Sequence, residues 1–161
     1  MESTDIKYYK TFASGEGIDS LGGATTATLL SGSLHELFDY VSPEEASAGD
    51  TEYRAIDVKN IHASETLYGA VAYISTPIAP TTSNIAIGYD STGTQSVANE
   101  STAPSTPAIS FSTATTKATG IALGGDMAPG VTKRIWVRLA VNTGAAKTLA
   151  AGQITVEGGG I

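Results

Sequence analysis

Between Val131 and Val141 the chain reads V-T-K-R-I-W-V-R-L-A-V, and its apolar side chains recur with a period of two. Val131, Ile135, Val137, Leu139 and Val141 share one face, broken only by Lys133 near the start. Thr132, Arg134, Trp136, Arg138 and Ala140 share the other. That period belongs to a strand, and an apolar face on a strand needs a core to cover it.

The same pattern recurs along the chain. Tyr53 to Ile61 places Ile56 and Val58 inward and Tyr53, Asp57 and Lys59 outward. Leu67, Val71 and Tyr73 mark another strand, with Asn60 to Glu65 as the turn between the two. Shorter alternations follow at Ile85-Ile87-Tyr89, Ile109-Phe111, Ile121-Leu123 and Ile154-Val156, and Ile6 to Phe12 reads as a strand near the start. Turn-forming runs separate them: Pro77 to Ser83, Asp90 to Gly93, Gly124 to Gly130 and Asn142 to Gly144. Many short strands without a long amphipathic helix predict an all-β fold, an antiparallel sandwich of immunoglobulin-like or jelly-roll type. Residues 37–161 form that domain in this reading, and residues 1–36 an extended N-terminal arm or peripheral segment.

Ser33-Leu34-His35-Glu36 fits a capping box, which would put Leu34, Leu37 and Phe38 on one face of a helical turn. An extended segment fits equally well, because Pro43 would cut such a helix short. Ser14 to Ser33 and Ser91 to Pro107 are poor in large apolar groups and read as loops.

Composition removes several classes of function. There is no cysteine, so disulfide scaffolds, thiolate metal sites and cysteine nucleophiles are excluded. No apolar run approaches the ~18 residues of a membrane-spanning helix, and the polar start lacks the basic-then-apolar pattern of a secretion signal. A soluble, non-secreted protein is expected, with no membrane partner. The net charge of −7 is uneven, since Met1 to Asp57 holds 11 of the 16 acids and three bases. That balance argues against nucleic acid, whose binding needs clustered Lys and Arg. It reads either as a solvated acidic face or as a surface for a basic partner.

No motif announces chemistry: G-x-x-x-x-G-K-[ST], H-E-x-x-H and G-x-S-x-G are all missing. His35 and His62 would need Asp39 or Asp57 beside them to hold a metal. Asp50-Thr51-Glu52 and Asp90-Ser91-Thr92-Gly93 resemble fragments of oxygen-ligand loops, but neither extends to the six or more oxygens that Ca²⁺ takes, and both read as turns. No enzyme activity, cofactor or metal is expected.

Arg134, Trp136 and Arg138 lie opposite the apolar face. They form either a local ladder of guanidinium groups on the indole or a binding surface, since Trp and Arg are enriched at interface hot spots. Tyr8 and Tyr9 pose the same choice, with a docking arm as the functional option. These five are the candidate interface residues.

Several phrases, in order, resemble a family of small tailed-phage virion proteins. They are Leu37-Phe38-Asp39, Pro43-Glu44-Glu45-Ala46 leading to Gly49-Asp50-Thr51-Glu52-Tyr53-Arg54, and Val58-Lys59-Asn60. After them come Glu100 to Pro104, Phe111-Ser112, Ala128-Pro129-Gly130, Ile135-Trp136-Val137-Arg138 and Val156-Glu157-Gly158. The resemblance runs from about Leu37 to Gly158. Val58-Lys59-Asn60 and Ala128-Pro129-Gly130 also resemble strand ends and turns of immunoglobulin-like domains. The resemblance implies a structural virion protein made in the host cytoplasm: a decoration (cement) protein on the capsid surface, bound to the major capsid protein and acting as a homotrimer. A tail, baseplate or head-fibre component and a glycan-binding module are the alternatives.

Overall fold

Each long alternating run becomes a strand, and the strands assemble into two sheets. The computed structural model describes residues 3–12, 19–33, 35–78, 83–145 and 151–158. Among them are eight strands: β1 (Ile6–Phe12), β2 (Ala24–Leu29), β3 (Asp50–Asn60), β4 (Val71–Thr76), β5 (Ser83–Asp90), β6 (Ile121–Ala122), β7 (Thr132–Val141) and β8 (Gln153–Glu157). Five form a sheet in the order β2-β1-β3-β7-β5, and three form a second in the order β6-β4-β8. All pairings are antiparallel, so the chain is an all-β sandwich.

Register explains the core. Ile56 stands opposite Ile135 in the β3–β7 pair, and Ile87 stands opposite Val137 in the β5–β7 pair. Ile56, Val58, Ile85, Ile87, Ile135, Val137, Leu139 and Val141 therefore share one face. It packs on Ala72, Ile74 and Val156 of the smaller sheet, with Ala70, Leu123 and Met127 filling in from the loops. Burial of this kind stabilises by about 1.5–3 kcal/mol for each large aliphatic side chain.

Residues 1–36, expected as an arm or peripheral segment with a strand at Ile6 to Phe12, supply that strand and a second one to the larger sheet. β1 is an interior strand that pairs with β3 from Ile6↔Asn60 to Lys10↔Ile56, and β2, expected as loop, pairs with β1. β3 is eleven residues long and has a free side until β1 fills it. The Ala/Thr run of β2 satisfies the next edge, where β-branched threonine is at ease. Conversely, Ile109-Phe111 makes no strand: Ser112 forms only an isolated bridge to Ile87.

The helical turn also lies elsewhere. The one α-helix among the described residues, α1 (Pro43–Ala48), is capped by Ser42, whose hydroxyl accepts from the Glu45 N–H while the Glu45 carboxylate accepts from the Ser42 N–H. Pro43 opens this helix because its missing N–H is not needed in the first turn. Glu36 instead accepts from the N–H groups of Ser31, Gly32 and Ser33, which closes a loop. Leu34 lies outside the described residues.

A third layer covers the outer side of the large sheet. The chain from Ser91 to Ser112 folds back over it, and Gly88, opposite Trp136, lets it approach. A Cβ at Gly88 would stand 2.3 Å from Ile109 Cγ2 and 3.0 Å from the Ser110 carbonyl oxygen. Gly22 is equally committed on the far side: its φ is +91° and a Cβ there would overlap the Gln95 carbonyl oxygen at 2.0 Å. Gly88→Ala is expected to destabilise by about 1–3 kcal/mol through overpacking. Urea denaturation checks this, and an unchanged midpoint would mean that the Ile109 segment moves away freely.

Candidate functional site

Arg134, Trp136 and Arg138 do alternate on the face opposite the core, but the third layer buries that face. Arg134 is 2% exposed and Trp136 0%. Arg134 donates to both carboxylate oxygens of Asp57, at 2.8 and 2.9 Å, and through Nη1 to the Gln95 carbonyl oxygen at 3.3 Å. The Thr25 hydroxyl also donates to Asp57. Asp57, expected to point outward into solvent, is thus sealed into this network. The Arg138 guanidinium lies 5.3 Å from the Phe111 ring centroid, and Phe111 in turn packs against Tyr53. The guanidinium groups therefore go to a carboxylate and a phenyl ring, and Trp136 Nε1 is buried without a hydrogen-bond partner.

The two tyrosines part company. Tyr8 faces the core, where its hydroxyl accepts from the Val156 N–H at 3.0 Å and ties the two sheets together. Burial outweighs that bond and pushes the hydroxyl up to about 12. Tyr9 lies on the outer face opposite Asp57 and Leu29, half-buried. Of the five candidate interface residues, Arg134, Trp136 and Tyr8 are thus internal ties, because the covering segment and the second sheet are made of distant chain. Tyr9 and Arg138 keep partial exposure.

The run from Asp90 makes a turn, as expected. Its carboxylate accepts from the backbone N–H groups of Thr92, Gly93 and Gln95 and from the side chains of Thr92 and Gln95. Burial works against ionisation here, but the donors from Thr92 and Gln95 prevail and hold the carboxyl below its ordinary range. Gln95 also donates to the Pro107 carbonyl and accepts from the Thr106 N–H, which anchors the covering layer. A shallow hollow of about 380 Å³ lies there, lined by residues such as Thr92, Thr94, Ser96, Thr102 and Ser105, with neither aromatic nor charged side chains in its wall.

His35 stacks on Tyr40 at 3.7 Å, and His62 Nδ1 accepts from the N–H groups of Ser64 and Glu65. Each histidine is engaged locally, and neither joins a cluster of metal-ligating side chains among the described residues.

No protein family, curated protein or solved structure matches this chain.

The remaining cluster is acidic and lies where β3 leaves α1. Glu52 and Arg54 fall on the inner face of β3, opposite Leu139 and Val137. The parity that puts Ile56 and Val58 inside extends to both, and this was the sequence signal that could have found them. Arg54 Nη2 donates to Glu100 at 2.6 Å and lies 3.3 Å from Glu52, while Nε donates to the Leu37 carbonyl oxygen at 3.2 Å. Glu52 is 3% exposed. Burial raises its carboxyl; Arg54 pulls the other way, and Asp39, Glu100 and Asp50 add to the rise, bringing it up to about 7.

A carboxyl whose pKa is higher in the folded than in the unfolded chain binds its proton more tightly in the native state. Its stabilisation is therefore complete below the unfolded value of 4.5 and is lost as pH rises through about 7. In metal-free buffer the protein is expected to lose about 1–3 kcal/mol between about pH 5 and about pH 8 from this group. Glu52→Gln should flatten that part of the dependence in urea unfolding, and an unchanged slope would remove Glu52 as its source.

Proposed function

We propose that this chain is a non-enzymatic structural protein of a tailed-phage virion, a decoration protein that sits on the outer capsid surface against the major capsid protein and works as a homotrimer. The ordered set of phrases from Leu37 to Gly158 supports the reading, and so does the build of the molecule. The observation that carries it is that the central strands β3 and β7 are covered on both faces, by the smaller sheet and by residues 91–112. Such a three-layered body is stiff. Its long polar side chains, Arg54, Asp57 and Arg134, are committed to internal ties.

What remains outside suits adhesion. β2 is a sheet edge of small uncharged residues, five of its six exposed, with Leu29 46% and Phe12 39% exposed on or next to it. Exposed edges and small side chains allow close backbone approach by a neighbouring chain. Specific association needs only about 1,200–2,000 Å² of buried surface, and repetition on a symmetric shell adds avidity.

Particles assembled without the protein are expected to lose resistance to heat or internal pressure, and imaging of complete particles should place its density on the shell. Particles of unchanged stability would overturn the decoration reading. Density on the tail, baseplate or a head fibre would move the protein there. A monomeric mass in solution, with no density on any particle, would overturn both.

A further inference from the structure

We propose that Arg138, with Tyr53 and Phe111 beside it, is the contact by which one copy of this chain grips a carboxylate of the next copy. The inference rests on the homotrimer put forward above and names the surface that holds it together. Two of the three arginines are neutralised inside the chain, Arg54 by Glu52 and Glu100, and Arg134 by Asp57. Arg138 is the exception: among the described residues it has no ion pair. Its Nε is also buried without a hydrogen-bond partner. Buried donors without acceptors are uncommon in native proteins, and a half-buried guanidinium of this kind keeps its fork of N–H groups for an acceptor from outside.

The surroundings fit an interface. Arg138 stands opposite Tyr53 of β3 on one side and Ala86 of β5 on the other. Its guanidinium lies 5.3 Å from the Phe111 ring centroid, and that ring lies 5.6 Å from the Tyr53 ring. All three side chains are half-buried. A guanidinium resting on an aromatic ring is already oriented, and Arg with Tyr is the composition of interface hot spots. The layer that seals Arg134 and Trp136 stops beside it, where Ser112 bridges to Ile87. The next row of the same face, Thr51, Ala140 and Asn84, keeps exposure. These side chains are short, so a neighbouring chain can come close to the aromatic wall.

The chain itself carries the complement, with 16 acids against nine bases. Asp39 and Glu44 are exposed, and neither has an ion pair among the described residues. Glu44 lies on α1, which leads into Asp50 at the start of β3, and Asp50 pairs with Val141 at the end of β7 that carries Arg138. An arginine on one copy and an acid on the next make a heterologous contact, the kind that closes into a ring under a three-fold axis. Guanidinium and carboxylate fit as a bidentate pair, stronger than a neutral hydrogen bond. At a net charge of −7 the copies repel one another at long range, so the arginine left without a partner is where attraction between them is available.

The test is the mass of the full chain in solution, by sedimentation velocity over a concentration series. The wild type is expected to assemble to three times the 16.4 kDa of one chain. Arg138→Gln, checked for retained β-structure by circular dichroism, should raise the concentration needed for assembly at least about tenfold. Lys59→Gln removes the same charge from the same side of β3, about 20 Å along the strand from Tyr53, and should leave assembly unchanged. Should Arg138→Gln fail to fold, Arg138→Lys keeps the charge and the stem but not the fork, and should weaken assembly about threefold or more. An Arg138 variant that assembles as the wild type does would overturn the proposal and leave the trimer to another surface. Equal weakening by Lys59→Gln would also overturn it, because the effect would then be one of net charge. A wild-type chain that stays monomeric at every concentration would overturn it together with the trimer, while the decoration reading would still be decided by density on the particle.

Discussion

Arg134→Met should lower the free energy of unfolding by about 3–5 kcal/mol, the usual cost of stranding one partner of a buried ion pair. The substitution leaves Asp57 at 1% exposure with the Thr25 hydroxyl as its remaining donor. It also releases the Gln95 carbonyl, which Arg134 holds at 3.3 Å. The damage should therefore reach the covering layer, and amide exchange across residues 91–107 should quicken more than exchange in the core strands. Removing both charges, as in Asp57→Leu with Arg134→Met, should restore much of the loss, because the desolvation cost of the carboxylate disappears with it. Guanidinium-chloride unfolding of the two single variants and the double variant measures this. A single variant within about 1 kcal/mol of the wild type would mean that the pair contributes little and that packing alone holds the layer.

Trp136→Ala should cost about 3–5 kcal/mol, as expected when a fully buried aromatic leaves a cavity. Gly88 and Ala55 flank it in register and cannot fill the space. Trp136→Phe should cost clearly less, because it retains most of the ring volume and removes an indole N–H that has no partner. As the chain has one tryptophan, its fluorescence reports the site directly. Emission should be that of an apolar environment in the native state and shift to the red on unfolding. A native spectrum already typical of water, or an alanine variant of full stability that had lost self-association, would return Trp136 to the surface and make it an interface residue.

These two predictions concern residues whose neighbours in sequence say little about their surroundings. From Thr132 to Val141 the alternation correctly divides the side chains between two faces. Ile135 and Val137 go to the core, as their size and lack of polar atoms require. The same rule places Arg134, Trp136 and Arg138 opposite, and a face carrying two arginines reads as solvated. That step fails because Asp57, 77 residues away, neutralises Arg134. A run of small residues with no apolar pattern of its own then seals the face from outside. Its hold from Asp90 to Pro107 is polar, through Gln95 and Asp90, and the apolar pair Ile109 and Phe111 at its end reads from the sequence as a strand rather than as a cover. Glu52 and Arg54 follow the parity of Ile56 and Val58, but Asp50-Thr51-Glu52 reads as a turn, which starts the strand only at Tyr53, whereas the strand runs from Asp50.

The chain by itself determined the long apolar strands and their sidedness, because the pleat turns successive side chains to opposite faces whatever lies beyond them. It also excluded thiol chemistry by composition. Only the tertiary structure decided that β1 enters the sheet, that the Arg-Trp-Arg face is interior, and that three carboxylates converge where α1 meets β3. Local periodicity records which side chains travel together. What covers them depends on segments tens of residues away, and burial there is settled by charge pairing and close backbone approach, neither of which has a period.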